Sequence, residues 1–366
     1  MSLICKKVKR NLIITAVVIL LIILLVGLAT RTNGFAQWYS TNIYPLLVTT
    51  VGRLFGLFPF AVAEFFLYAL ILLFLGSVVY LVIRVIIHPE KGARILRWFT
   101  GLLMSVSILL LLFMTNGGIN YHRISFAESS GFTLRPYSVE ELRLVSEWLT
   151  ERVNETSGLV PRNERGEMVL TVDVAATSIA AMHRLSNDFP ILAGFYPPPK
   201  PVVNSWLLSI QQVSGIFVPF TIEGTYNRDM MPYNIPFVAT HELAHVRGFM
   251  QEEEANFIAF LACIGSAEVE FRYSGYLLGW VYATNALRRV DREAAGEFRQ
   301  RLAADVQRDL QSNREFWAQF EGPVAELQTR VNDAYLRANA QADGVRSYGR
   351  MVDLLISYFL EKRLAD

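Results

Sequence analysis

Cysteine is almost missing from this 366-residue chain; Cys5 and Cys263 are the only two. Cys5 sits beside a basic N-terminus and Cys263 in an apolar helical stretch, so neither a disulfide framework nor a cysteine-built metal site is expected. Charge is scarce as well. Lys, Arg, Asp and Glu make up 18% of the residues and leave a formal net charge of +1. That balance removes the basic surface that nucleic-acid binding needs. The chain has no internal repeat and no low-complexity tract. Apolar residues take up the room: 52% of the chain is hydrophobic, and the excess lies toward the N-terminus.

Three apolar runs, residues 11–30, 58–87 and 95–115, each reach the length of about 20 residues that a hydrocarbon core requires. The first is longer than a signal-peptide core and has no small-residue cleavage site after it, so it reads as an uncleaved anchor. The second contains Glu64 near one end, which reads as an interfacial or helix-packed carboxylate. Basic residues set the orientation. Lys6, Lys7, Lys9 and Arg10 precede the first span, and Arg84, Lys91, Arg94 and Arg97 lie in or beside the loop between the second and third. The loop between the first and second has only Arg31 and Arg53. The positive-inside rule therefore puts the N-terminus in the cytoplasm. Residues 1–116 are expected to form a multi-pass region in the cell membrane, and residues 117–366 an extracytoplasmic domain.

That outer part reads as mainly α-helical with a small β-sheet. Ser138-Val-Glu-Glu141 resembles a capping box and opens a helix to about Thr156. A second helix is expected over 172–185, and the prolines from Pro190 to Pro201 mark an extended loop. Residues 202–226 are the strand region, with apolar runs at 203–210 and 215–222. Pro219 makes the second run an edge strand. Such an edge can hold an extended peptide by backbone hydrogen bonds, and it can equally be an ordinary edge protected by proline. Residues 268–287 are rich in aromatics, but Glu268, Glu270 and Arg272 interrupt them, which predicts a core helix or a surface against the membrane rather than a fourth span. Further helices are expected over 292–320, 323–340 and 348–364.

The chemistry concentrates in His241-Glu242-Leu243-Ala244-His245. Two histidines four apart share one helix face, where their neutral imidazoles can grip a single Zn²⁺, and Glu242 can reach a water on the ion. Residues 234–240 read as a loop entering that helix, with Thr240 as N-cap, and Gly248 as its stop. A catalytic zinc keeps three protein ligands and one open position. The third ligand is expected from the acidic start of the next helix, with Glu252 ahead of Glu254. Glu252 shares a face with Ala255, Asn256 and Ala259, so Asn256 can bond a ligand histidine from behind. Glu253 is turned toward solvent. Glu242 is the expected general base of peptide hydrolysis. Tyr226, Tyr233, His183, Arg247 and Tyr273 are open alternatives for an oxyanion donor. His88, His122 and His183 read as structural or surface residues.

The HELAH motif, followed by Gly248-Phe249 and Glu252-Glu-Glu-Ala-Asn-Phe257, resembles the DUF3810 family of bacterial membrane proteins. So do Gly118-Ile-Asn-Tyr-His-Arg123, residues 215–221, Tyr273-Ser-Gly-Tyr276 and Ser347-Tyr348. The resemblance implies a membrane-anchored, zinc-dependent metallopeptidase. The site is also similar to gluzincins, where HExxH is followed by Glu-x-x-Ala-Asp or Glu-x-x-Ala-Asn; Glu252 to Asn256 fits that pattern and implies Glu252 as ligand. The gap between the two elements is much shorter here than in many gluzincins. It looks instead like that of metzincins, whose third histidine is replaced by Gln251. The sequence therefore predicts an α-rich zincin-like domain that hydrolyses a peptide or protein substrate at the surface of a lipid bilayer. A catalytically silent metal-binding or scaffold protein of the cell envelope is the alternative.

Overall fold

A computed structural model describes residues 3–132, 134–339, 341 and 350–365. The architecture is mainly helical with one small sheet. Helices α1 (Leu3–Arg31), α2 (Val62–Ile87) and α3 (Lys91–Asn116) are long and apolar enough to cross a membrane, and no other helix among the described residues is. Helix α1 lies along α3, and α2 packs beside it. The second span starts at Val62 rather than residue 58. Pro59 removes a backbone donor and pushes the residue before it out of helical geometry.

Two carboxylates fasten the membrane helices to the rest of the chain. Glu223 accepts hydrogen bonds from the backbone N–H groups of Val62 and Ala63, at 3.1 and 2.7 Å, so it neutralises the positive end of α2. Lys200 pairs with the same carboxylate at 2.7 Å and also donates to the Phe55 carbonyl. Glu64 accepts from the backbone of Val203 and Asn204, at 2.7 and 3.0 Å, and from the Tyr68 hydroxyl. Its position inside an apolar span is thus explained by helix-end packing. The short helical pieces between α1 and α2 add to the joint: Gly52 and Gly56 press against Ile222, Pro197 and Pro198.

Beyond α3 come α4 (Val139–Ser157) and α5 (Val174–Asp188). The predicted capping box is formed, with Ser138 and Glu141 each bonding the other's backbone N–H. Strands β1 (Lys200–Pro201), β2 (Gly215–Val218) and β3 (Glu223–Tyr226) form a sheet in the order β1-β3-β2. β1 runs parallel to β3 and β2 antiparallel, with Phe217 opposite Gly224. The expected strand at 203–210 is absent; residues Trp206–Ser209 make a helical turn instead. β2 stops at Val218, just before Pro219, and occupies the sheet edge.

Helices α6 (Asn234–Val246), α7 (Glu252–Ile264) and α8 (Val269–Val290) follow. α7 is the centre of the core: every residue from Glu254 to Cys263 is buried. α8 buries Phe271, Tyr273, Leu277 and Trp280, so the aromatic stretch is a core helix. The single long helix expected over 292–320 is two, α9 (Arg292–Gln300) and α10 (Ala304–Ala318). The Asn154 side chain sits in the break, donating to the Arg301 carbonyl and accepting from the Ala303 N–H. It thereby satisfies both of the groups that the interruption leaves open. Helices α11 (Pro323–Ala338) and α12 (Met351–Ala365) complete the chain. Ser347-Tyr348 lies outside the described residues.

Candidate metal centre

Helix α6 starts seven residues before His241, earlier than the sequence reading placed it. Pro236 is tolerated because it falls in the first turn, where its missing N–H has no intrahelical partner to lose. Thr240 is therefore an interior residue and not the N-cap; its hydroxyl bonds back to the Pro236 carbonyl at 2.8 Å. The helix ends as expected. Gly248 adopts φ +88°, its N–H bonds the His245 carbonyl, and the Phe249 N–H bonds the Ala244 carbonyl. This pair of bonds is a Schellman termination, and only glycine takes its left-handed position without strain.

The turn also orients a ligand. It brings the Phe249 carbonyl to within 2.8 Å of His245 Nδ1, leaving Nε2 as the free imidazole nitrogen. Nothing in the five-residue motif reveals this partner; the Gly-Phe pair after it was the available signal. Glu252, at the start of α7, then comes back over the two histidines. Its Oε2 lies 3.3 Å from His241 Nε2 and 3.8 Å from His245 Nε2. One ligand atom from each of His241, His245 and Glu252 fits within 4.8 Å of the others. Ligands held tetrahedrally at about 2.0–2.1 Å from zinc are about 3.4 Å apart, so the donor set suits such an ion. The two imidazole planes are nearly perpendicular, at 87°.

Glu254 is somewhere else. Two residues turn a helix by about 200°, so it faces away from Glu252. Its carboxyl accepts the Phe126 N–H at 2.5 Å and lies near Arg123. Glu253 is half-buried rather than solvated, in the vicinity of Arg350 and Asp353. Asn256 is buried and lies against His241. Ala255 and Ala259 are fully buried, and small side chains there allow α6 and α7 to approach closely.

Burial governs the electrostatics. It pushes the Glu242 carboxyl up to about 8, and the nearby Glu252 adds to that while His241 opposes it. Burial, aided by His241, draws His245 down to about 4, so its imidazole is neutral at pH 7. His241 is also pulled down by burial, but Glu252, Glu242 and Asn256 together outweigh this and raise its pKa. A dication has the charge that this cluster of carboxylates and imidazoles lacks. Glu242 Oε2 is buried with no hydrogen-bond partner among the described residues. Two glycines that sequence reasoning passed over make space for Glu242. A Cβ at Gly224 would come within 2.8 Å of Glu242 Cβ, and one at Gly215 would collide with its carboxyl oxygen.

The cluster opens onto a cavity of about 770 Å³. The edge strand β2 forms one wall, and Phe113, Tyr282 and Tyr335 contribute to the others. None of the five oxyanion alternatives lines it. Tyr273 donates to Asp309, His183 meets Tyr196 edge to face, and Tyr233 is buried near Asp309. Tyr226 belongs to a separate apolar cluster, and Arg247 lies by Gly194 and Tyr196. The hydroxyl-bearing residues lining the cavity are Tyr121, Ser214, Tyr282 and Tyr335, which come from segments far apart in sequence.

Fold and site together define a mainly helical protein with three helices able to span a membrane and a partly buried His-His-Glu cluster beside a cavity. The chain belongs to the family described as "Protein of unknown function (DUF3810)", which matches residues 39–356. No curated protein and no solved structure gives a match.

Proposed function

We propose that this chain is a zinc-dependent metallopeptidase anchored in the cell membrane, with a zincin-like domain outside and a peptide or protein as substrate. The observation that carries this reading is the meeting of His241, His245 and Glu252 beside Glu242 on the wall of an open cavity. Two imidazoles and a carboxylate favour zinc among divalent ions. His241, His245 and Glu252 would hold a Zn²⁺ ion, which would supply Lewis acidity for activating water and polarising a carbonyl.

This chain's own residues account for the remaining steps. Glu242 takes a proton from the attacking water and returns it to the leaving amine; burial raises its carboxyl above the ordinary range and so makes it a stronger base. The Phe249 carbonyl keeps His245 in the tautomer that presents Nε2. The free edge of β2 can align an extended backbone along the cavity. The distribution of Lys and Arg around the three spans supports the outside location.

The test uses the full chain purified in detergent. Glu242→Gln is expected to retain zinc and lose peptide hydrolysis by about 10²–10⁴-fold. Unchanged hydrolysis would reject the role given to Glu242, and full zinc content in His241→Ala would reject the site.

A further inference from the structure

We infer that the polypeptide taken by this site is one anchored in the same bilayer, bound as an added strand on β2 where it leaves the membrane. The inference rests on the peptidase reading for its chemistry and on separate geometry for its substrate class.

The geometry lies in seven residues. The Phe217 ring is 6.3 Å from the His245 ring. Three residues later, the Phe220 ring is 5.8 Å from that of Phe66, in the second turn of α2. Three residues of chain reach about 10 Å at most. Asn116, the last residue of α3, donates to the Pro219 carbonyl at 2.9 Å. Phe113, one turn earlier in the same helix, lines the cavity. The cavity thus reaches the end of α3 through Phe113, and the strand that walls it runs on to contacts with the ends of α2 and α3, about one short strand from the His-His-Glu cluster.

The cavity rim has the same character. On α11, Val324, Leu327 and Val331 are exposed at helical spacing, and Val331 and Tyr335 line the cavity. The Tyr335 ring stands 6.1 Å from Phe113, so this apolar stripe continues the surface of α3 and suits the bilayer interface. Beside the backbone held by Glu64, Val203 and Trp206 are exposed too, on the level of the start of α2. A chain emerging from the bilayer meets β2 without crossing open solvent. Strand pairing accepts almost any sequence, so membrane tethering provides the selection by raising the local concentration.

The test places the full chain in nanodiscs of phosphatidylcholine and phosphatidylglycerol, loaded with zinc and carrying Glu242→Gln. Ile216, exposed on β2, is changed in turn to a photocrosslinking residue (Ile216→benzoylphenylalanine), with Val331→benzoylphenylalanine as a second reporter. Two probes are compared: a peptide with an apolar helix of about 20 residues followed by a polar segment, and the polar segment alone. Capture of the anchored probe is expected to exceed that of the free one by about tenfold or more, at residues close to its anchor. Equal capture, or no capture of the anchored probe, would overturn the inference. Hydrolysis with Glu242 intact is scored separately. Equal cleavage of both probes would keep the peptidase reading and refute the anchored substrate, whereas preferential capture without any cleavage would do the reverse.

Discussion

Glu252 and Glu254 are two residues apart, of the same type, and at the start of the same helix, yet their surroundings divide their roles. Glu252 lies over the two imidazoles, and Glu254 accepts a backbone N–H from Phe126. Glu252→Ala is expected to weaken zinc binding by more than the 10–100-fold that losses around a metal's ligands cost. Glu254→Ala should leave zinc binding unchanged and lower stability by about 1–3 kcal/mol, because it leaves a buried N–H without an acceptor. Zinc titration and denaturant unfolding of the two variants separate these outcomes; the opposite pattern would exchange the assignments. Gly248→Ala tests the turn that aims His245. A side chain at φ +88° should cost about 1 kcal/mol or more and reduce zinc affinity about tenfold, measured by competition with a chelating dye. Unaltered affinity would remove the Phe249 carbonyl from the account.

Among the elements, α6 and α7 were the most legible. His241, Glu242, His245 and Glu252 fall within twelve residues, so the periodicity of two helices and one glycine turn nearly determines their relative positions. The three spans were legible for a different reason: twenty apolar residues in a row have few other uses. The sheet was not. Its strands are four residues or fewer, too short for alternation to declare itself, and the apolar run at 203–210 contains a helical turn that leaves Val203 and Trp206 exposed. The break between α9 and α10 depends on Asn154, about 150 positions earlier, and no local pattern signals it. The cavity walls share that difficulty, since Phe113, Phe217, Tyr282 and Tyr335 meet only through tertiary packing. The joint between β3 and α2 is likewise long-range. Lys200→Met leaves Glu223 as a buried carboxylate without its cation, and a loss of about 3–5 kcal/mol is expected in unfolding of the full chain. A change below 1 kcal/mol would mean that the α2 N–H groups alone suffice to hold it.

On the scale of the whole molecule, Glu223, Lys200 and Glu64 tie the start of α2 to the sheet that walls the cavity beside the His-His-Glu cluster. The orientation is open to direct labelling. A cysteine at the exposed position Glu164 (Glu164→Cys) is expected to react with a membrane-impermeant maleimide in intact cells, while Cys5 reacts only after permeabilisation. The reverse pattern would turn the site toward the cytoplasm. The most direct test of the central claim is the zinc content of the purified full chain after stripping and reloading. About one ion per chain is expected in the unaltered protein, in Glu242→Gln and in Glu254→Ala, with loss in His241→Ala, His245→Ala and Glu252→Ala. A chain that takes up no zinc, or one whose zinc survives those last three substitutions, would contradict it.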